Sequence, residues 1–170
     1  MQRPFTFLLL FTTLWLSSCV RPPDYPVEPH IEYVSMSKST LLQGQGPEDT
    51  TYITISFTDG DGDLGHFKDG SEEQVLDLFL TDLRTGAQSE SFIIPFVPEL
   101  GSGNGVSGEI TLRVLTTCCI FPPYVTDAAA PCEPSQQYPV DTLRYEIYLV
   151  DRAGNESNRV ETEDIFLLCQ

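Results

Sequence analysis

The chain has 170 residues, with 25 Asp plus Glu against nine Lys plus Arg and a formal net charge of −16. That length holds one domain with a sizeable core and is tight for two, while 41% hydrophobic and 11% aromatic residues exclude general disorder. So negative a chain repels phosphate backbones and anionic surfaces, which argues against nucleic acid and favours cations or basic partners.

Residues 1–18 read as a targeting segment: Arg3 gives a basic end, Phe5 to Leu16 is a mostly apolar run, and Ser17 and Ser18 are small. The run falls short of the roughly 20 apolar residues a helix needs to cross a bilayer. Leu16-Ser17-Ser18-Cys19 resembles the lipobox of bacterial lipoproteins. That resemblance implies cleavage before Cys19, its acylation, and stable anchoring by several acyl chains. Val20 stands where an Asp would signal inner-membrane retention, so the expected location is the outer membrane, on either face. Residues 19–29 then form a tether, with Pro22, Pro23, Pro26 and Pro29 enforcing extended chain. At about 3.1 Å per residue it would hold a domain roughly 30 Å from the lipid.

From His30 to Gln170 the pattern is of strands separated by turn chemistry, with no convincing helical period over ten residues. Seven strands are predicted: His30–Met36, Thr51–Phe57, Val75–Asp82, Ser91–Val97, Gly108–Cys118, Thr142–Asp151 and Val160–Cys169. Ile53, Ile55 and Phe57 share one face of the second; Leu76, Leu78 and Leu80 of the third; Ile110, Leu112 and Val114 of the fifth. Leu143, Tyr145, Ile147 and Leu149 line the sixth, and Ile165 and Leu167 the seventh. Ser71-Glu72-Glu73 offers one capped helical turn before the third strand, and Pro95 marks an edge or bulge in the fourth. The expected fold is all-β, a seven-stranded antiparallel two-sheet sandwich over residues 30–170.

Tyr145-Glu146-Ile147-Tyr148-Leu149-Val150-Asp151-Arg152-Ala153-Gly154-Asn155-Glu156-Ser157 resembles the penultimate strand and following turn of fibronectin type III and bacterial immunoglobulin-like domains. With the lipobox and the phrase Phe57-Thr58-Asp59-Gly60-Asp61-Gly62-Asp63-Leu64-Gly65, the mature chain is similar to uncharacterised lipoproteins of Bacteroidota. The resemblance implies an immunoglobulin-like fold and an envelope location, and no activity. The core tryptophan of immunoglobulin domains is missing, since the one Trp, Trp15, lies in the targeting segment.

With Cys19 acylated, Cys118, Cys119, Cys132 and Cys169 remain, an even set suited to an oxidising compartment. Strand parity puts Cys118 with inward Leu112 and Val114, and Cys169 with inward Ile165 and Leu167. The fifth and seventh strands run to the same pole. The expected bridges are therefore Cys118–Cys169 and Cys119–Cys132, which staple the fold. Adjacent Cys118 and Cys119 lack the Cys-x-x-Cys spacing of a zinc site.

Asp59-Gly60-Asp61-Gly62-Asp63 places carboxylates at every second position, a density suited to a hard cation such as calcium. It is not an EF-hand: Leu64 takes the place of the loop glycine, and Gly70 that of the bidentate Glu. In a seven-strand sandwich this loop meets the Asp151–Asn158 turn at one pole, with the Gly101–Gly105 stretch as neighbour. Asp59, Asp61, Asp63, Asp151 and Asn155 are thus the candidate ligands; tight, solvated Asp-Gly turns are the competing reading. The acidic pole is also where the first strand begins, so it should face the tether, with the disulfides at the far end.

No catalytic residue is expected. His30 and His66 are the only imidazoles, Glu72-Glu73 are neighbours that cannot face each other across a substrate, and no nucleophile elbow, phosphate loop or zinc-protease motif occurs. The chain reads as a non-enzymatic binding or structural module partnered by an envelope protein or glycan. Alternatives are a glycan-binding accessory lipoprotein of a polysaccharide-utilisation system, with Tyr138 and Tyr148 as exposed stacking candidates, and a small accessory enzyme subunit.

Overall fold

The computed structural model describes residues 24–47, 49–66, 75–98, 105–128 and 130–170. The targeting segment, Cys19 and the start of the tether lie outside the described residues. So do the Ser71-Glu72-Glu73 turn and residues 101–104 of the glycine-rich stretch.

The described chain is all-β and contains no helix. Its ten strands are β1 His30–Met36, β2 Thr40–Leu42, β3 Thr50–Asp59, β4 Leu78–Asp82, β5 Ala87–Phe92, β6 Val106–Leu115, β7 Val140–Leu143, β8 Tyr145–Leu149, β9 Val160–Glu161 and β10 Ile165–Leu168. They form three sheets, ordered β1-β3-β6, β2-β10-β7 and β5-β4-β8-β9. Every ladder is antiparallel except that of β2 with β10.

Ten strands arise where seven were expected because two predicted strands change sheets midway and the short β2, Thr40–Leu42, was not foreseen. The segment read as one strand from Thr142 divides at Arg144: β7 pairs with β10, whereas β8 pairs with β4 and β9. The Arg144 carbonyl accepts from the Leu83 N–H, and its guanidinium reaches Glu161 and Asp164. The last segment divides likewise into β9 and β10. Inward parity survives the break, so Leu143, Tyr145, Ile147 and Leu149 are all buried and the division leaves no mark on the hydrophobic pattern. The fourth strand is displaced to Ala87–Phe92, while Pro95 sits in an isolated bridge with His66. Leu76, assigned inward, is 47% exposed because β4 begins only at Leu78.

The β3 ladder sets the long axis. Its alternation buries Thr51, Ile53, Ile55, Phe57 and Asp59. In register it runs from Thr50 opposite Leu115 to Asp59 opposite Val106, and Thr58 faces His30 of β1. One end of β3 therefore meets the chain entering β1, and the other meets the cysteines.

The bridges join Cys118 to Cys132 and Cys119 to Cys169, which corrects the expected pairing. β6 and β10 do end at a shared pole, as the topology required. Parity failed because β6 stops at Leu115, and period-two alternation has no meaning in the irregular chain beyond it. There the Cys119 N–H donates to Gln43 Oε1, turning the Cys119 side chain inward beside the fully buried Cys169, while Cys118 is half-buried.

Candidate metal centre

Asp59 is the last residue of β3 and inherits the inward side of its alternation. The chain then turns immediately, with Gly62 and Gly65 both at φ 72°, and Gly65 lies against the Pro95 carbonyl where an added Cβ would come within 2.3 Å. The far side of the loop is zipped to the 94–97 segment: Leu64 O accepts from Val97 N–H, and His66 exchanges backbone bonds with Ile94 and Phe96. Leu64 is fully buried and pins the turn to the core.

The second loop follows β8. Asp151, 5% exposed, accepts from the Asn155 N–H at 2.7 Å and from Asn155 Nδ2 at 2.8 Å. The loops are stitched together by Ala153 N–H on Asp63 Oδ2 (3.0 Å) and Arg152 N–H on the Asp63 carbonyl (3.3 Å). As a result Asp59, Asp61, Asp63 and Asp151 each present a carboxylate oxygen within 4.8 Å of one another. Asp59 and Asp151 are buried, Asp63 is half-buried and Asp61 is exposed. Asn155, the fifth expected ligand, donates its backbone N–H and its Nδ2 to Asp151.

Asp59 is 0% exposed, and neither of its oxygens has a hydrogen-bond partner; Asp63 Oδ1 is buried and unpartnered too. Burial, then the charges of Asp61 and Asp63, push the Asp59 carboxyl up to about 7, with Asp151 adding to the rise and the nearby Asp63 backbone N–H, which closes no hydrogen bond of normal geometry to either oxygen, opposing it. Asp63 is raised by burial first, then by Asp151 and Asp61, against the pull of the Ala153 N–H and Arg152. Arg152 does not neutralise the group: its guanidinium donates to the Gly65 carbonyl at 3.2 Å and sits 5.2 Å from the Phe96 ring centroid. Among the described residues no Lys or Arg forms an ion pair with any of the four carboxylates.

A buried carboxylate without donors is costly unless a cation or proton compensates it. An all-oxygen set of this density suits a hard divalent ion, with coordination free to include water at the exposed Asp61. Plain solvated turns would leave these oxygens wet, and those of Asp59 are not.

A second buried acid escaped the sequence reading. Asp77, 2% exposed, accepts from Ile94 N–H at 2.6 Å through Oδ1, while Oδ2 is unpartnered. Burial pushes its carboxyl up to about 6, against the Ile94 N–H and the charge of His66. Its signal was an Asp embedded in the apolar run Val75-Leu76-Asp77-Leu78.

The other singled-out side chains are engaged elsewhere. His30 is exposed, 4.0 Å from Glu32, and His66 is half-buried in its bridge. Tyr138 and Tyr148, expected as free stacking platforms, are both half-buried. Tyr138 packs edge-on against Phe121 and donates to Asp141 Oδ1, while Tyr148 lies between Phe79 and Arg159. Among the described residues no helix is long and apolar enough to cross a membrane. No protein-family model, no curated protein and no solved structure matches the chain.

Proposed function

We propose that the chain is a non-enzymatic envelope lipoprotein, anchored through Cys19 at the outer membrane. Its immunoglobulin-like domain is locked by calcium at Asp59, Asp61, Asp63 and Asp151 and binds or braces another envelope protein. The observation that carries the cation reading is Asp59, whose two oxygens are buried and partnerless among three further carboxylates. The anchor rests on the Leu16-Ser17-Ser18-Cys19 lipobox and the tether on the prolines that follow.

A protein partner is favoured over a glycan because the two tyrosines suited to sugar stacking are already covered. Among the described residues the exposed aromatics Tyr52, Tyr124 and Phe166 are spread over β3, the disulfide loop and β10. The non-enzymatic reading has support in a cavity of about 580 Å³ at the disulfide pole. Its charged lining, Asp82 and Arg84, is consumed in one ion pair.

Calorimetric titration of the purified chain with calcium, beside its melting temperature in calcium and in excess chelator, tests the proposal. Binding to the folded state alone stabilises by about 2.7 kcal/mol at one hundred times the dissociation constant. An unchanged melting temperature and no binding heat would refute the cation site; palmitate labelling that a Cys19→Ala change leaves intact would refute the anchor.

A further inference from the structure

We propose that cation binding at the acidic pole clamps the chain segment leading into β1, so that occupancy sets whether the domain is held rigidly or swings freely on its tether. The proposal rests on the cation reading above and adds a regulated element to it. Two independent contacts support it, one from each loop that carries the carboxylates.

The first is Gly60, between Asp59 and Asp61. A Cβ built there would lie 2.4 Å from both the Tyr25 and the Pro26 carbonyl oxygens. Gly60 is not among the positive-φ glycines, so its backbone would accept a side chain. The three atoms nearest to that Cβ all belong to the incoming chain. On the other side, a Cβ at Gly105 would meet the Asp59 carbonyl oxygen at 2.0 Å and Gly60 Cα at 2.7 Å, so the turn is held between the incoming chain and the start of β6.

The second is Asn158, at the end of the Asp151 loop. Its Oδ1 accepts from the Ile31 N–H at 2.8 Å, and its Nδ2 donates to the Ile31 carbonyl at 2.9 Å. An ion bridging Asp59, Asp61 and Asp63 to Asp151 would fix the two loops against each other. Beside the β3 ladder that takes His30 and Ile31, the contacts described for Tyr25, Pro26 and Ile31 come from those loops. Emptying the site leaves repelling carboxylates that push the loops apart and loosen the seat. By linkage, seating the segment raises cation affinity by the same factor.

The test is amide hydrogen exchange on the chain as the cell processes it, in calcium and in excess chelator, for wild type, Gly60→Ala and Asn158→Ala. Calcium is expected to slow exchange at Val27, Glu28 and Ile31 by on the order of tenfold in wild type. In Gly60→Ala that slowing at Val27 and Glu28 should vanish while calcium still raises the melting temperature. Asn158→Ala should lose it at Ile31. A wild type whose melting temperature rises with calcium while exchange at residues 27–31 stays the same overturns the clamp and leaves the cation site standing. A wild type that responds in neither measurement overturns both.

Discussion

Arg84 Nη1 lies 2.5 Å from Asp141 Oδ2, joining the turn after β4 to β7. The same guanidinium engages both oxygens of Asp82, and its two carboxylate partners are buried with it: the side chains of Arg84, Asp82 and Asp141 are 11%, 10% and 6% exposed. Asp141 also accepts from the Ile120 N–H and the Tyr138 hydroxyl, and Arg84 donates to the Cys118 carbonyl. The irregular disulfide segment is thus fastened to the sheets by one cation and two acids.

Arg84→Met should therefore cost about 3–5 kcal/mol, because it strands two buried carboxylates rather than one. Urea unfolding at pH 7 measures it. Replacement of exposed Arg144, whose partners Glu161 and Asp164 are half in solvent, should cost under about 1 kcal/mol in the same assay.

Asp59→Asn separates the two costs carried by the acidic pole. It removes the charge that no donor satisfies, so in chelator at pH 8 the variant should melt higher than wild type. It also removes an ion ligand, so the rise that calcium brings should disappear. Melting curves of both proteins with and without calcium check this, and a variant still stabilised by calcium would move the ion elsewhere.

The raised carboxyls give a pH dependence of unusual sign. Asp59 at about 7 and Asp77 at about 6 hold protons in the fold that the unfolded chain releases near 3.8. The folded state thus binds more protons between those limits, and stability falls as pH rises from about 4 to about 7. In chelator the chain should be more stable at pH 5 than at pH 8. Calcium should flatten the Asp59 and Asp63 part, and Asp77→Asn should remove a further part, leaving that of Glu90, which burial also raises; denaturant midpoints across that range supply the comparison.

The two bridges should contribute unequally. Cys119–Cys169 spans 50 residues and Cys118–Cys132 spans 14. Chain entropy alone assigns about 4 and about 3 kcal/mol. Paired Cys→Ala changes should lower the melting temperature more for the first, whose sulfurs are also core atoms, and non-reducing peptide mapping should return these two linkages.

The all-β class and the inward residues of β3, β6 and β8 could be read from alternation alone, because a half-buried strand writes its burial directly into every second residue. The meeting of Asp59, Asp61 and Asp63 with Asp151 followed from which loops share a pole. What stayed hidden were events between strands. The sheet change at Arg144 preserves parity and so leaves no trace, and the Cys118–Cys119 pair lies beyond the strand that would have oriented it. Gly60 resembles any turn glycine in the sequence; only the path of Tyr25 and Pro26 across it shows why it carries no side chain.

The six-pair ladder of β1 with β3 begins at His30, next to where the lead-in chain arrives, and ends at Met36 far from it. A pull on the tether along the strand axis would load those rungs together in shear, instead of peeling them open one after another. With Cys119–Cys169 closing the opposite end, tension applied ahead of His30 would pass through this ladder into β3 and its ten-pair ladder with β6.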